Sequence, residues 1–438
     1  MADSKFPSSI IIIGAGIFGL STALAISRRH PSTKITIIDR LTPPIEDGSS
    51  VDTTRCIRAD YADPIYAQLA LEAQQKIEAD PDLSRYYFKQ GMTFVCDGKP
   101  SRFTDIWHAQ VKLARGRHHQ DQIISLSSSQ EVFERIHGSG SELPTKTKLG
   151  RELRWNKAYC NLDDAFIDAR ECVRIYYERC LAQPSITFQC GVAVDHLNLI
   201  DGICHGVILE DGSVHKAEKL LVAAGAWSSK LVFLEGRMYS SAIEVAWFKV
   251  TPEEEEKWKH MSITTNLSTG LNVFPPYKGE IKVLRRSAGY CNTVTIENPE
   301  DRKNKIEVSL PRTSITHPGM HMPEEAEKLM RQDLQEIMPS LAQRAFDRTK
   351  LCWLAQAPTA DFLIAPHPRI SGLHVATAGS AHAWKFLPVI GDLVLDSMEG
   401  HLSPALTEKW AWSLEGRDGG NAPRMDGKPV ELREIFGE

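Results

Sequence analysis

The sequence predicts a mixed α/β fold of two parts, a parallel-sheet part and an antiparallel-sheet part inserted into it. Three observations predict it. The chain opens on a strand, a turn carrying Gly14-x-Gly16-x-x-Gly19, and a helix; residues 242–311 are strand-rich and irregular; helix and strand texture returns after residue 324. At 438 residues the chain exceeds one ordinary core, so two parts are also what its length requires.

Residues 9–13 (SIIII) read as a buried strand, 17–30 as a helix and 34–39 (KITIID) as a second strand, which together make one βαβ unit. In such a unit the first glycine permits the tight turn, the second lets backbone approach a pyrophosphate, and the third lets helix and strand pack closely. The helix start offers free N–H groups and a positive dipole end to phosphates. Asp39, twenty residues after the last glycine, is placed to accept from a ribose. Gly14, Gly16, Ile17, Phe18, Gly19, Asp39 and Arg40 are the candidate contacts here. Residues 8–27 are uncharged, apolar and long enough to span a bilayer, but glycines spaced for a phosphate turn argue against an anchor.

Later elements follow from the same periodicities. Residues 66–79 and 165–182 read as helices, 90–96 as a strand, and the polar stretch 112–149 as loops around one helix. Residues 186–224 read as short strands with a turn at Asp211-Gly212, closing on an apolar strand at 219–224. Helices are expected at 324–337, 339–346 and 391–398, with a strand at 372–377. The expected division is a discontinuous cofactor domain of residues 1–84, 150–230 and 330–438, and a substrate domain of residues 85–149 and 231–329.

Composition excludes several classes. Apolar content of 42% and charged content of 24% argue for a globular chain, and a net charge of −5 invites no nucleic-acid partner. The nine cysteines are scattered and lack a C-x-x-C pair, so neither a disulfide framework nor a metal site is expected. The C-terminus, Ile435-Phe436-Gly437-Glu438, is not a peroxisomal address of the Ser-Lys-Leu type, and a cytoplasmic location is the default expectation.

A second dinucleotide signal lies in Leu220-Leu221-Val222-Ala223-Ala224-Gly225-Ala226-Trp227-Ser228, an apolar strand ending in Ala-Gly-Ala-Trp. It resembles the second contact segment of two-domain flavoproteins and favours FAD over a nicotinamide nucleotide, with Val194, Ala224, Gly225 and Trp227 as candidate contacts. Two further segments are Asp52-Thr53-Thr54-Arg55-Cys56-Ile57-Arg58 and the run from Cys352 to Lys385. In these four segments, in this order, the chain resembles the flavin amine oxidases that include monomeric sarcosine oxidase, pipecolate oxidase, saccharopine oxidase and the fructosyl amino acid oxidases (amadoriases).

The resemblance implies a glutathione-reductase-like FAD-binding fold with an inserted antiparallel substrate sheet. It implies FAD bound covalently through Cys352 at the 8α carbon of the flavin, with Thr54, Arg55 and Gly379 among its contacts. It implies that Arg58 and Lys385 hold a substrate carboxylate, Lys385 also touching the flavin, because a buried charge needs partners. Lys282 matches the lysine that promotes reaction with oxygen by stabilising negative charge there. Arg286 stands where the fructosyl oxidases carry an acid, and a guanidinium favours an anionic or aromatic substituent on the amine. The implied reaction is oxidation of a secondary amino acid beside its nitrogen by a monomeric enzyme, with O2 reduced to H2O2. A fructosyl amino acid oxidase and a flavin monooxygenase are the alternatives; a monooxygenase has no use for Cys352 as a tether.

Overall fold

A computed structural model describes residues 6–117, 120–413 and 427–437. The strand Ser9–Ile13 lies inside a six-stranded sheet, with Lys34–Asp39 and then Ile186–Cys190 parallel on one side. On the other side stand Lys219–Val222 and Leu373–Thr377, also parallel, and then antiparallel Leu363–Pro366 at the edge. The unbroken isoleucine run has a physical reason: Ile10 and Ile12 enter the core on one face of the sheet, Ile11 and Ile13 the core on the other. The helix Ile17–Arg29 packs on Leu387–Glu399 so closely that a Cβ on Gly391 would fall 2.1 Å from the Ser21 carbonyl. Ser21 Oγ accepts from the Gly391 N–H at 2.9 Å and donates to the Leu387 carbonyl at 2.7 Å, which pins the two helices.

The second large sheet has nine strands among the described residues. Tyr239–Lys249 runs antiparallel between Arg348–Gln356 and Glu280–Cys291. Beyond Glu280–Cys291 come Leu271–Val273, Ile263–Asn266, Met92–Cys96, Lys157–Asn161 and Ile123–Leu126. Val430–Glu431 pairs in parallel with the far end of Glu280–Cys291. Lys157–Asn161 and Arg348–Gln356 fall in the expected cofactor segments by sequence but are hydrogen-bonded into this sheet. A short apolar strand carries no local mark of which sheet it joins.

Several boundaries differ from the sequence reading. Among the described residues the polar stretch holds three α-helical pieces, the end of Arg102–Arg117, Ser129–His137 and Lys146–Leu149, where loops around one helix are expected. Ser129–His137 buries only Ser129, Val132, Phe133 and Ile136, a stripe too sparse to stand out by apolar content. Residues 165–167 form a strand paired with Arg55–Ile57, and the helix starts after Asp168, whose side chain accepts from the Glu171 N–H. The last long helix begins at Leu387, ahead of the expected 391, with Pro388 in its first turn. The helix expected at 339–346 is Pro339–Ala342. No helix among the described residues is long and apolar enough to cross a membrane.

Candidate functional site

Between the parallel sheet and the large antiparallel sheet lies a cavity of about 730 Å³, inside the roughly 300–1,000 Å³ range of ligand pockets. It runs from the glycine turn, past Cys352, to Lys385 and Arg286.

At its first end the wall is backbone. Gly14 has φ of +108°, and a Cβ there would meet the Ala223 carbonyl at 2.4 Å. A Cβ on Gly16 would reach Ser50 Oγ at 2.8 Å, and one on Gly19 the Gly14 carbonyl at 1.9 Å. Gly14, Gly16, Ile17 and Phe18 line the cavity; Gly19 does not, and serves the close packing of helix on turn. The helix has no side-chain cap and no acid in its first turn, which leaves its positive end to a ligand anion. Asp39 accepts from the Ala15 N–H at 2.8 Å and the Leu41 N–H at 3.2 Å, so its carboxylate braces the turn, with acceptor capacity left for a ribose. Burial pushes its pKa up. Arg40 stacks 4.3 Å above the Trp227 ring and pairs with Asp47. Val194, Ala224, Gly225 and Trp227 complete this end of the wall.

The middle of the cavity carries Cys352, nearly fully buried, on the strand Arg348–Gln356 opposite Ile243. Beside it, Arg55 binds the Ser49 carbonyl at 2.9 Å and pairs with Asp52. Burial lowers the Arg55 pKa, and the nearby Cys352 and Cys56 sulfurs partly restore it. Lys282 donates to the same Asp52 oxygen at 3.0 Å and to the Thr54 carbonyl, and lies 4.1 Å over the Phe274 ring. Burial, and then Arg55, push its pKa well down. Thr54 itself is not among the residues that line the cavity. Its carbonyl holds Lys282, and its hydroxyl is buried without a hydrogen-bond partner among the described residues.

The far end gathers Arg58, Lys385 and Arg286. The Arg58 guanidinium binds the Asp60 carbonyl and lies 4.7 Å over Tyr61 and 5.5 Å over Phe94. Lys385 follows Gly379, Ser380 and Ala381, the last two with φ of +46° and +63°, in a turn that brings its side chain inward. Its Nζ donates to Tyr61 Oη at 2.8 Å and the His382 carbonyl at 2.9 Å. Burial first, then Arg58, push the Lys385 pKa well down; burial and Arg58 bring Arg286 to about 10. None of the three has a carboxylate within salt-bridge distance among the described residues.

Sequence reasoning missed three participants. Asp52 opens the segment that carries Arg55 and Arg58, and its pairing with both Lys282 and Arg55 shows only in three dimensions. Tyr61 and His382 form a relay: His382 Nε2 faces the Ala360 carbonyl at 2.8 Å and must donate, so Nδ1 accepts from Tyr61 at 3.0 Å. The tyrosine oxygen is thereby turned toward Lys385.

This geometry fits FAD: an anion-ready turn at one end, a channel of suitable volume, and a thiol and cations at the other. L-saccharopine oxidase of Schizosaccharomyces pombe is 29% identical over 432 residues, covering 97% of this chain and 95% of that one. The amino acid oxidase imqH of Aspergillus flavus is 27% identical over 463 residues, covering 91% and 95%. In fold, the chain matches the structure of fructosyl peptide oxidase from E. terrenum with a TM-score of 0.86 at 24% identity, covering 99% of this chain and 98% of that one. The family described as FAD dependent oxidoreductase matches residues 9–397. Because that match begins at the first strand of the glycine turn and ends in the helix after Lys385, it spans the cavity wall, and the chain belongs to the FAD dependent oxidoreductase family.

Proposed function

We propose that the chain is an oxidase of a secondary amino acid whose nitrogen substituent carries an anionic or aromatic group. One observation carries the reading: three buried or recessed cations share one end of the cavity with no carboxylate partner within salt-bridge distance among the described residues. Burial disfavours the charged forms of Lys385 and Arg286, and the buried Asp164 offsets this at Lys385 only in part, so an anionic ligand entering the cavity would stabilise the set. Arg58 and Lys385 would clamp the α-carboxylate, and Arg286 would face the substituent. FAD, when bound, accepts the hydride equivalent from the carbon beside the nitrogen and passes the electrons to oxygen, which leaves as hydrogen peroxide. Asp52 and the Thr54 carbonyl would hold the Lys282 ammonium where charge develops on oxygen. Cys352 would tether the flavin ring. The oxidised carbon–nitrogen bond is then hydrolysed to an amine and a carbonyl compound.

The saccharopine oxidase relative supports this substrate class. A fructosyl amino acid oxidase is the second reading, favoured by the fold likeness to fructosyl peptide oxidase and opposed by Arg286. An anaerobic screen of saccharopine, pipecolate, sarcosine, N-methyl-L-tryptophan and fructosyl-valine for flavin bleaching, with peroxide assayed in air, tests both. Saccharopine or N-methyl-L-tryptophan is expected to bleach fastest. Fructosyl-valine in first place establishes the second reading, and no bleaching by any of the five ends the oxidase proposal. The tether has its own test: acid-denatured protein should keep a fluorescent flavin on a denaturing gel, and Cys352→Ala should release it.

A further inference from the structure

The large sheet presents one transverse row of side chains to the cavity. Val245, Leu284, Asn272, Thr265 and Phe94 stand directly opposite one another on successive strands, and directly paired residues point to the same face. Val245, Leu284 and Asn272 line the cavity. At the end of the row, the Phe94 ring lies 5.5 Å beneath the Arg58 guanidinium. Along the strand Glu280–Cys291, the alternation that faces Leu284 inward also faces Lys282 and Arg286 inward, and Asn272 sits opposite the residue midway between them. Asn272 therefore occupies the ground between Lys282, Arg286 and Arg58.

Its amide is fully buried, and neither Oδ1 nor Nδ2 has a hydrogen-bond partner among the described residues; Thr265 Oγ1, its neighbour in the row, has none either. Two unmet amide atoms in a protein interior are expensive to maintain, and apolar leucine or methionine would fill the position at lower cost. The three surrounding cations are all donors, so the feature missing from them is an acceptor. A secondary amino acid brings one N–H donor at its reacting centre, beside carboxylate oxygens that accept.

Resting on the oxidase reading above, we propose that Asn272 is a substrate-recognition residue: Oδ1 accepts from the substrate amine N–H and Nδ2 donates to a carboxylate oxygen, with Thr265 supporting the amide. The cations then select for the acid, and Asn272 selects for the amine. It also fixes the rotation of the nitrogen relative to the ring above which the carbon must sit.

The test compares purified holoenzyme of the wild type and Asn272→Leu, which keeps the branching at Cγ and removes both polar atoms. Sarcosine, saccharopine and acetate are titrated anaerobically against the flavin spectrum, and melting temperature is measured without ligand. Asn272→Leu is expected to lose about ten- to hundred-fold in affinity or kcat/KM for the two amino acids, the range for one or two lost hydrogen bonds. Acetate, which has a carboxylate and no amine, keeps the cations and loses only the Nδ2 contact, so it should weaken by less than the two amino acids, about ten-fold or less. The melting temperature should hold or rise, since an unpaired buried amide has gone. A lower melting temperature with equal weakening of all three ligands would assign Asn272 to the fold alone, and unchanged amino acid affinity would also overturn the proposal. Wild-type protein that binds the two amino acids more tightly than acetate but is bleached by none of the five substrates above would end the oxidase reading, while the Leu variant would still decide Asn272.

Discussion

At the glycine turn the cavity wall is backbone from adjacent elements, whereas at the opposite end it is side chains brought from separate stretches: Arg58, Asn272, Lys282 with Arg286, Cys352, and Lys385. The turn itself admits no side chain at Gly14 or Gly19, where a Cβ would meet carbonyl oxygens at 2.4 and 1.9 Å. The second surface is a set of charges whose spacing and neutralisation can be altered one at a time. A backbone-built site is rigid and generic, suited to a cofactor shared by many enzymes; a side-chain-built site can be re-specified without refolding. Substitutions at the two ends should therefore fail differently, all-or-none at one and graded at the other.

The largest effect is expected at the turn. Gly14→Val forces a branched side chain into a positive-φ position 2.4 Å from the Ala223 carbonyl, and the protein should be recovered without flavin, read as the ratio of absorbance at the flavin band to that of the protein. Wild-type flavin content in this variant would break the contrast between the two ends. Next is Lys282→Met. Removing a cation aimed at developing charge costs about 10²–10³ in rate, and the loss should fall on reoxidation by oxygen. Anaerobic flavin reduction should stay near normal in stopped flow; equal slowing of both halves would make Lys282 a support for Asp52 and the Thr54 carbonyl only.

Smaller, and general to every amino acid substrate, is the clamp. Lys385→Met and Arg58→Ala should each lower kcat/KM about thirty-fold or more, the cost of losing one partner of a desolvated charge pair, with flavin content retained. The pH dependence follows from the Lys385 shift. Burial and Arg58 favour the neutral amine, so its folded pKa lies well below the ordinary lysine value. Only the ammonium pairs with carboxylate, so kcat/KM for anaerobic reduction should fall as pH rises through that depressed value. A bound carboxylate favours the ammonium, so the same limb should move to higher pH in kcat. Lys385→Met should lack the descending limb altogether; a limb that persists would belong to another group.

The same contrast explains what the sequence disclosed. Gly14, Gly16, Gly19 and Asp39 are legible because turn, helix and closing acid are contiguous and each residue type answers one backbone need. Cys352, Lys385 and Arg58 are legible only through resemblance, since a buried thiol or a loop lysine is by itself ordinary. Thr54 shows how little a segment's sequence says of each residue's direction: the segment meets the cavity through Asp52, Arg55, Cys56 and Arg58, while the Thr54 carbonyl turns to Lys282. Asn272 and Asp52 were invisible: nothing in the strand Leu271–Val273 marks an amide as unpaired until its two neighbouring strands are in register beside it.

The finest distinction concerns Arg286, because it asks whether a graded site re-specifies without refolding. Arg286 is recessed in the cavity, its pKa brought down to about 10 by burial and by Arg58, so its charge is destabilised until an anion arrives. Arg286→Glu replaces that demand with its opposite: an anionic substituent now meets a carboxylate, while sugar hydroxyls gain an acceptor. Arg58 and Lys385 are untouched, and the new acid can pair with Arg58, so folding and flavin binding should persist. The expected result is a change of rank, with kcat/KM for saccharopine falling about ten-fold or more and that for fructosyl-valine rising, as a shift of about 1.4 kcal/mol in differential binding requires. Sarcosine, whose methyl group is too small to feel the substituent pocket, supplies the control and should change least. Parallel losses for all three substrates would mean that Arg286 belongs to the carboxylate clamp with Arg58 and Lys385, and that the far end of the cavity recognises a single anion.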